Sequence, residues 1–316
     1  MLTLFTALKP NHGHAAVIQR NALTSWSLLP GCETIVFGDD EGAAALAAEV
    51  GARHMPEIAR NERGTPLLSD MFAQADHLAR NDLLAYVNAD IILMRDFLEA
   101  AQAVRRAGWP NFLMVGKRWN VDMAQAWDFE TPQWAPALRA HVAAHGALYV
   151  HWAMDYFVLP RGALGAMPPF AIGRPPWDNW MVYHARARGA PVIDATEAAM
   201  VVHQNHDYTH VGAQMDRDAV WKGAEAQRNR ALAGIVGRYQ LSIHNATHRL
   251  TRAGAIVPAT EVAYISQRLD SLPAYWPRAE LRARVCVKIL RLLARALPAA
   301  AWQGLVLRAT DRVHKP

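Results

Sequence analysis

Cysteine is almost absent from this chain. Two residues in 316, Cys32 and Cys286, lie far apart and in no metal-chelating or disulfide spacing. This excludes a disulfide-stapled scaffold and a cysteine-ligated zinc site, and it suits a reducing cytosol. Long hydrophobic runs are missing too: no stretch approaches the roughly 20 apolar residues of a bilayer span. The N-terminus passes straight into an apolar strand pattern, Leu2-Thr-Leu-Phe-Thr6. With no basic n-region and no cleavage site there, the expectation is a chain without a secretory leader. Internal repeats and low-complexity linkers are also lacking.

The chain is not short of positive charge, but the charge is unevenly spread. The formal net charge is +5, and residues 278–316 hold nine of the 33 basic residues and only two of the 28 acidic ones. The tail therefore carries +7 and the body −2. A near-neutral body argues against a nucleic-acid partner. In the tail, Arg284, Lys288, Arg291 and Arg295 recur with helical spacing, beside Val285, Ile289, Leu292 and Leu293. A basic amphipathic helix of this kind either docks its apolar side on its own protein or lies on an anionic membrane surface.

Apolar runs of strand length alternate with helix-period segments over the N-terminal third, which predicts an α/β fold with a mostly parallel sheet. Strands are expected at 2–7, 34–37, 52–55 and 83–87, and helices at 15–28, 41–50, 67–78 and 96–107. Seven of the eleven tryptophans fall between Trp109 and Trp180. There an irregular insert lies between strands expected at 112–115 and 155–159. A helix at 177–188, one or two strands within 191–202 and helices from 216 onward complete the pattern.

The most informative stretch is Tyr86-Val-Asn88-Ala-Asp90. Period-2 alternation sends Asn88 and Asp90 the same way off the end of a buried strand. A carboxylate there serves a turn, or meets solvent, a cation or a ligand. In open α/β sheets ligands bind at the carboxyl ends of the strands. Asp39 and Asp40 end the second strand, where one of them can cap the next helix. Asp178 stands between Trp177 and Trp180 at a helix start. It serves either as an N-cap or as a base whose pKa the tryptophans raise by desolvation. His203 follows the apolar run 198–202, placing it at a strand end, with His206, Asp207 and His210 close behind.

In their order and spacing, Asn88-Ala-Asp90, Trp177-Asp-Asn-Trp180 and His203-Gln-Asn-His206-Asp-Tyr make the chain resemble nucleotide-sugar glycosyltransferases of the GT-A fold. The resemblance points to a bacterial branch of the family-2-like group and covers roughly residues 1–235. It implies a mostly parallel sheet flanked by helices over 1–235, with 236–316 as a C-terminal helical extension. Asn88-Ala-Asp90 stands where that family has a DxD motif, with Asn replacing the first Asp. The resemblance further implies Mn²⁺ or Mg²⁺ held by Asp90, His203 and His206, and a nucleotide site at Thr6, Pro10, Asp39, Asn88, Arg63 and Arg118. Asp178 is the implied catalytic base, with Trp177 and Trp180 receiving the acceptor. The implied partners are a nucleotide-sugar donor and a glycan or lipid-linked acceptor, and the implied location is cytoplasmic or peripheral at the inner membrane face. Two rival readings are a sugar-nucleotide pyrophosphorylase-like nucleotidyltransferase, for which Leu8-Lys-Pro-Asn-His-Gly13 is a poor phosphate loop, and a non-catalytic carbohydrate-binding protein.

Overall fold

The computed structural model describes residues 1–206 and 217–275, together with positions 285, 288, 289 and 292. The first elements are β1 (Leu2–Ala7), α1 (Gly13–Ser27), β2 (Glu33–Phe37), α2 (Ala43–Glu49), β3 (Arg53–Met55), α3 (Leu68–Leu78) and β4 (Leu83–Val87). Strand β1 pairs in parallel with β2 on one side and β4 on the other, and β2 pairs in parallel with β3. These strands read as nearly continuous apolar runs because helices cover both faces. From β4, Leu83, Ala85 and Val87 enter one core with residues of α1 and α2, while Leu84 and Tyr86 enter the opposite core with α3.

The middle of the chain builds β5 (Ile91–Ile92), α4 (Arg95–Arg106), β6 (Leu113–Val115), β7 (Trp119–Asp122), α5 (Trp134–His145), β8 (Ala147–Leu148) and β9 (Tyr156–Pro160). Then come α6 (Trp177–Ala187), β10 (Val192–Asp194) and β11 (Val202–Asn205). Strand β9 lies between β4 and β6 and runs antiparallel to both. It therefore starts at the edge where β4 ends, and the backbone N–H of Asn88 donates to the carbonyl of Asp155 at 2.9 Å. A second, four-stranded sheet of order β5-β11-β7-β8 stands beside this edge. Its core of Ile92, Met94, Val121, Leu138, Val142 and Val202 packs with α5.

The last described elements are α7 (Arg217–Lys222), α8 (Ala224–Ala233), β12 (His248–Leu250), β13 (Ile256–Pro258) and α9 (Val262–Tyr275). The main sheet has nine strands, ordered β13-β12-β10-β6-β9-β4-β1-β2-β3, with five of its eight pairings parallel. The mixed α/β architecture agrees with the expected sheet, but the division after residue 235 does not hold. Strand β12 pairs with β10 through Ile193 and His248, and the Tyr264 hydroxyl of α9 donates to Asp194 at 2.6 Å. The segment expected to be a helical extension completes the sheet. Its two strands are three residues long, too short for alternation to register. Of the tail, Val285, Lys288, Ile289 and Leu292 are helical and exposed, whereas Arg284, Arg291, Leu293 and Arg295 lie outside the described residues.

Candidate active site

Asn88 and Asp90 leave β4 in a tight turn closed by the Ile91 N–H on the Asn88 carbonyl at 3.1 Å, so the turn and a site coexist. The Asp90 side chain points at β11. Its Oδ2 lies 3.0 Å from His206 Nε2 and 3.7 Å from His203 Nε2. His203 sits inside β11 rather than at its end, opposite Ile91 and Asn120. One ligand atom from each of Asp90, His203 and His206 falls within 4.8 Å of the others. Asp90 Oδ1 and His203 Nδ1 are buried without a hydrogen-bond partner. A carboxylate with an orphaned buried oxygen, facing two imidazoles, fits a divalent cation. Two nitrogens beside one oxygen suit Mn²⁺ better than Mg²⁺.

Electrostatics support this arrangement. Burial alone would raise the Asp90 pKa, but His203, the hydrogen bond from His206 and the charge of Lys9 outweigh it and hold the carboxyl well below the usual range. Burial lowers the pKa of His203, against the pull of Asp90. A neutral imidazole is the ligand form. Lys9, at the end of β1, was not anticipated as a site residue. Gln19 fixes its backbone, accepting from Lys9 N–H at 2.7 Å and donating to its carbonyl at 3.1 Å. Burial lowers the Lys9 pKa, Asp90 opposes that shift, and Arg174 adds to it.

The register of the triad depends on Gln204. Its fully buried carboxamide accepts from Asn21 Nδ2 at 2.8 Å and donates to the carbonyls of Ile18 at 2.8 Å and Asp90 at 3.2 Å. Its backbone N–H also donates to the Asp90 carbonyl at 3.2 Å.

A second carboxylate, Asp155, stands at the start of β9. It accepts from Asn88 Nδ2 at 2.9 Å and forms a short ion pair with Arg118 Nη1. Asn88 Oδ1 accepts from the Tyr86 hydroxyl at 2.9 Å. Both ends of the Asn88 amide are thus engaged within the protein. An aspartate at position 88 would set two carboxylates against each other, whereas the amide donates where repulsion would arise. The amide at position 88 thus has a local electrostatic reason. Arg118 is likewise committed: Nε donates to Asn120 at 2.9 Å, and the guanidinium lies 4.9 Å from the ring centre of Tyr149.

Asp178 is partly buried in the first turn of α6, where Pro176 is the N-cap. Its carboxylate accepts from the Asn179 N–H at 2.9 Å. Desolvation pushes its pKa up to about 6; the Asn179 hydrogen bond opposes the rise and nearby Asp155 adds to it. Capping is therefore not its role, and the pKa shift expected of a base is present. Trp177 and Trp180, expected to receive an acceptor, are core residues. Trp177 packs edge-on to Tyr86 with ring centres 5.1 Å apart, and Trp180 stacks on His184 at 4.3 Å. At 6% and 7% exposure neither offers a free face.

The other expected nucleotide residues lie in β1 and just beyond it, just beyond β2, and in the 61–66 loop. Thr6 is fully buried within β1, Pro10 is exposed just beyond it, and Arg63 is exposed in the 61–66 loop. Asp39 and Asp40 both pair with Arg60, at 2.6 and 3.0 Å. The N-cap of helix α2 is Gly42, so neither aspartate side chain caps it.

No protein-family model matches the chain, and neither does any curated protein. Among solved structures it is similar to glucosyl-3-phosphoglycerate synthase from Mycobacterium tuberculosis. The form with Mg²⁺ and uridine diphosphate is 13% identical, with TM-score 0.42 over 67% of this chain and 74% of the other. The form with Mn²⁺, UDP-glucose and phosphoglyceric acid is 14% identical, with TM-score 0.41 over 67% and 75%. A structure described as a mycobacterial protein is 16% identical, with TM-score 0.41 over 67% and 70%. Superpositions this loose bear on no activity; the chemistry rests on the residues above.

The triad predicts a metal response that needs no substrate. Mn²⁺ at a hundredfold excess over its Kd should stabilise the protein by about 2.7 kcal/mol, read as a rise in Tm. His203→Ala and Asp90→Ala should each remove that rise. Retention of it in either variant would place the ion elsewhere.

Proposed function

We propose that this protein is a nucleotide-sugar glycosyltransferase of GT-A type, moving a sugar from a nucleoside-diphosphate donor to a glycan or lipid-linked acceptor. The observation that carries the reading is the convergence of Asp90, His203 and His206 at the carboxyl end of β4, the edge where Asp155 and the Asp178 it influences also gather. Asp90, His203 and His206 would hold a divalent cation, which would supply Lewis-acid neutralisation of charge on the leaving diphosphate. Lys9 adds fixed positive charge near Asp90. Asp178 takes the proton of the acceptor hydroxyl as its oxygen bonds to the anomeric carbon and the carbon–oxygen bond to the diphosphate breaks. Asp155, which accepts from Asn88, holds Arg118 at the boundary between these two halves.

No helix among the described residues is long and apolar enough to cross a membrane. The exposed Val285, Ile289 and Leu292 beside Lys288 support a peripheral location at the inner face of the membrane, through the basic tail.

With Mn²⁺, a panel of nucleotide-sugars should include one whose turnover or slow hydrolysis the protein catalyses. Asp90→Ala should lower that rate by at least about a hundredfold, and excess EDTA should stop it; full rates in both would exclude the triad from the chemistry. Asp178→Asn should lose turnover by about 10²–10⁴ while calorimetry shows unchanged donor affinity. The wild-type kcat/KM should fall as pH drops through about 6, because the base must be deprotonated. A flat profile there would remove Asp178 from that role. Finally, the protein should float with anionic liposomes at low salt and be released at high salt, and truncation after Pro277 should abolish flotation. Binding that survives truncation would exclude the tail as the anchor.

A further inference from the structure

Four of the large apolar side chains left exposed fall within five consecutive residues: Leu148, Tyr149, Val150 and Trp152. Clustered apolar exposure of this kind forgoes burial energy and marks a contact surface. This cluster is attached to the candidate active site at both ends. Tyr149 N–H donates to the Arg118 carbonyl at 2.8 Å, and the Arg118 guanidinium, paired with Asp155, lies over the Tyr149 ring. At the other end, the His151 carbonyl accepts from Ile243 N–H at 3.0 Å, while Asn179, next to Asp178, donates to the Leu241 carbonyl at 2.6 Å. The loop at 241–243 thereby ties His151 to the start of α6.

The rings are held in place from behind. His151 stacks on His244 with centres 3.8 Å apart and planes within 8°, and Trp152 lies 4.0 Å from His151. Tyr264 closes the row at 5.0 Å from His244. Trp152 is nonetheless 45% exposed and Tyr149 36% exposed. The result is two supported, partly exposed rings bordered by the ion-paired Arg118 and Asp155, whose charge reaches Asp178. A pyranose has matching chemistry: C–H faces that pack on aromatic rings, and a rim of hydroxyls for charged hydrogen-bonding groups. A lipid chain offers no hydrogen-bonding groups to that charged border.

We infer that Tyr149 and Trp152 form a platform for a neutral pyranose ring of a carbohydrate acceptor, with one of its hydroxyls turned toward Asp178. The inference rests on the transferase reading and narrows its acceptor to a carbohydrate.

Saturation-transfer NMR on the full chain with maltotriose, mannotriose and chitotriose tests it. At least one should bind through its ring C–H protons. Trp152→Ala should weaken that binding by about tenfold, Tyr149→Ala should weaken it as well, and Trp152→Phe should restore most of it. Stabilisation by Mn²⁺ should persist in these variants, showing that they fold. No binding by any of the three sugars, or binding indifferent to both alanine variants, overturns the platform. Failure of the transferase reading would look different: sugar binding would depend on Trp152, yet no nucleotide-sugar would be turned over.

Discussion

The buried amide of Gln204 holds together segments far apart in the chain, and the candidate site depends on it. It joins α1 to β11 and grips the Asp90 carbonyl with both its side chain and its backbone. Asn21, its partner, also anchors the insert by accepting from Trp127 N–H at 2.9 Å. Leaving one such group unsatisfied costs about 1–3 kcal/mol, so the contacts stand or fall together. Their geometric effect matters more than their energy. Asp90 follows a strand of one sheet, the histidines lie in and just beyond β11, an inner strand of the other, and this clamp fixes the distance between them. The Trp26 indole assists from the same helix, donating to the Ile91 carbonyl at 2.8 Å, as does Ser25, accepting from Leu93 N–H at 3.1 Å.

Charge is arranged around this frame in two compartments. On one side the Asp90 carboxylate faces two imidazoles and the Lys9 ammonium, an environment that keeps it ionised. On the other, Asp155 is neutralised by Arg118 and the Asn88 amide, while Asp178 stays partly desolvated with a raised pKa. Asp90 and Asp178, near one sheet edge, thus shift in opposite directions, set by their neighbours. The Asn at position 88 lies on the boundary and lets the two compartments meet without a direct carboxylate–carboxylate contact.

How much of this was legible in the sequence depended on element length and chain distance. Strands β1 and β4 and helices α1, α3 and α4 are long enough for periodicity to show, so the sheet and the position of Asn88 and Asp90 could be read directly. The histidines were legible as a cluster after an apolar run, although β11 takes in His203. Strands of two or three residues, such as β5, β12 and β13, carry no period, which hid the second sheet and moved the boundary expected near residue 235. Asp155 and Lys9 were missed because their meaning depends on partners far off in the chain. The one available signal for Asp155 was a carboxylate opening a buried run, Tyr156 to Leu159. Trp177 and Trp180 misled because tryptophan beside aspartate reads the same in a core and at a surface. Arg63 is exposed in its loop, and it is Arg60, three residues before it, that pairs with Asp39 and Asp40.

The reversed strand β9 has a consequence for how such a molecule can diversify. Because it runs against its neighbours, the segment that enters it, rather than the one that leaves it, opens onto the site. The segment between β8 and β9, which holds most of the exposed run at 148–152, therefore lies outside the pairing of β1 with β2 and β4. Surface segments placed this way accept changes of length and side chain readily. Lineages built on this plan can rewrite that one stretch and alter what docks there, while the strand ends carrying Lys9 and Asp90 stay fixed.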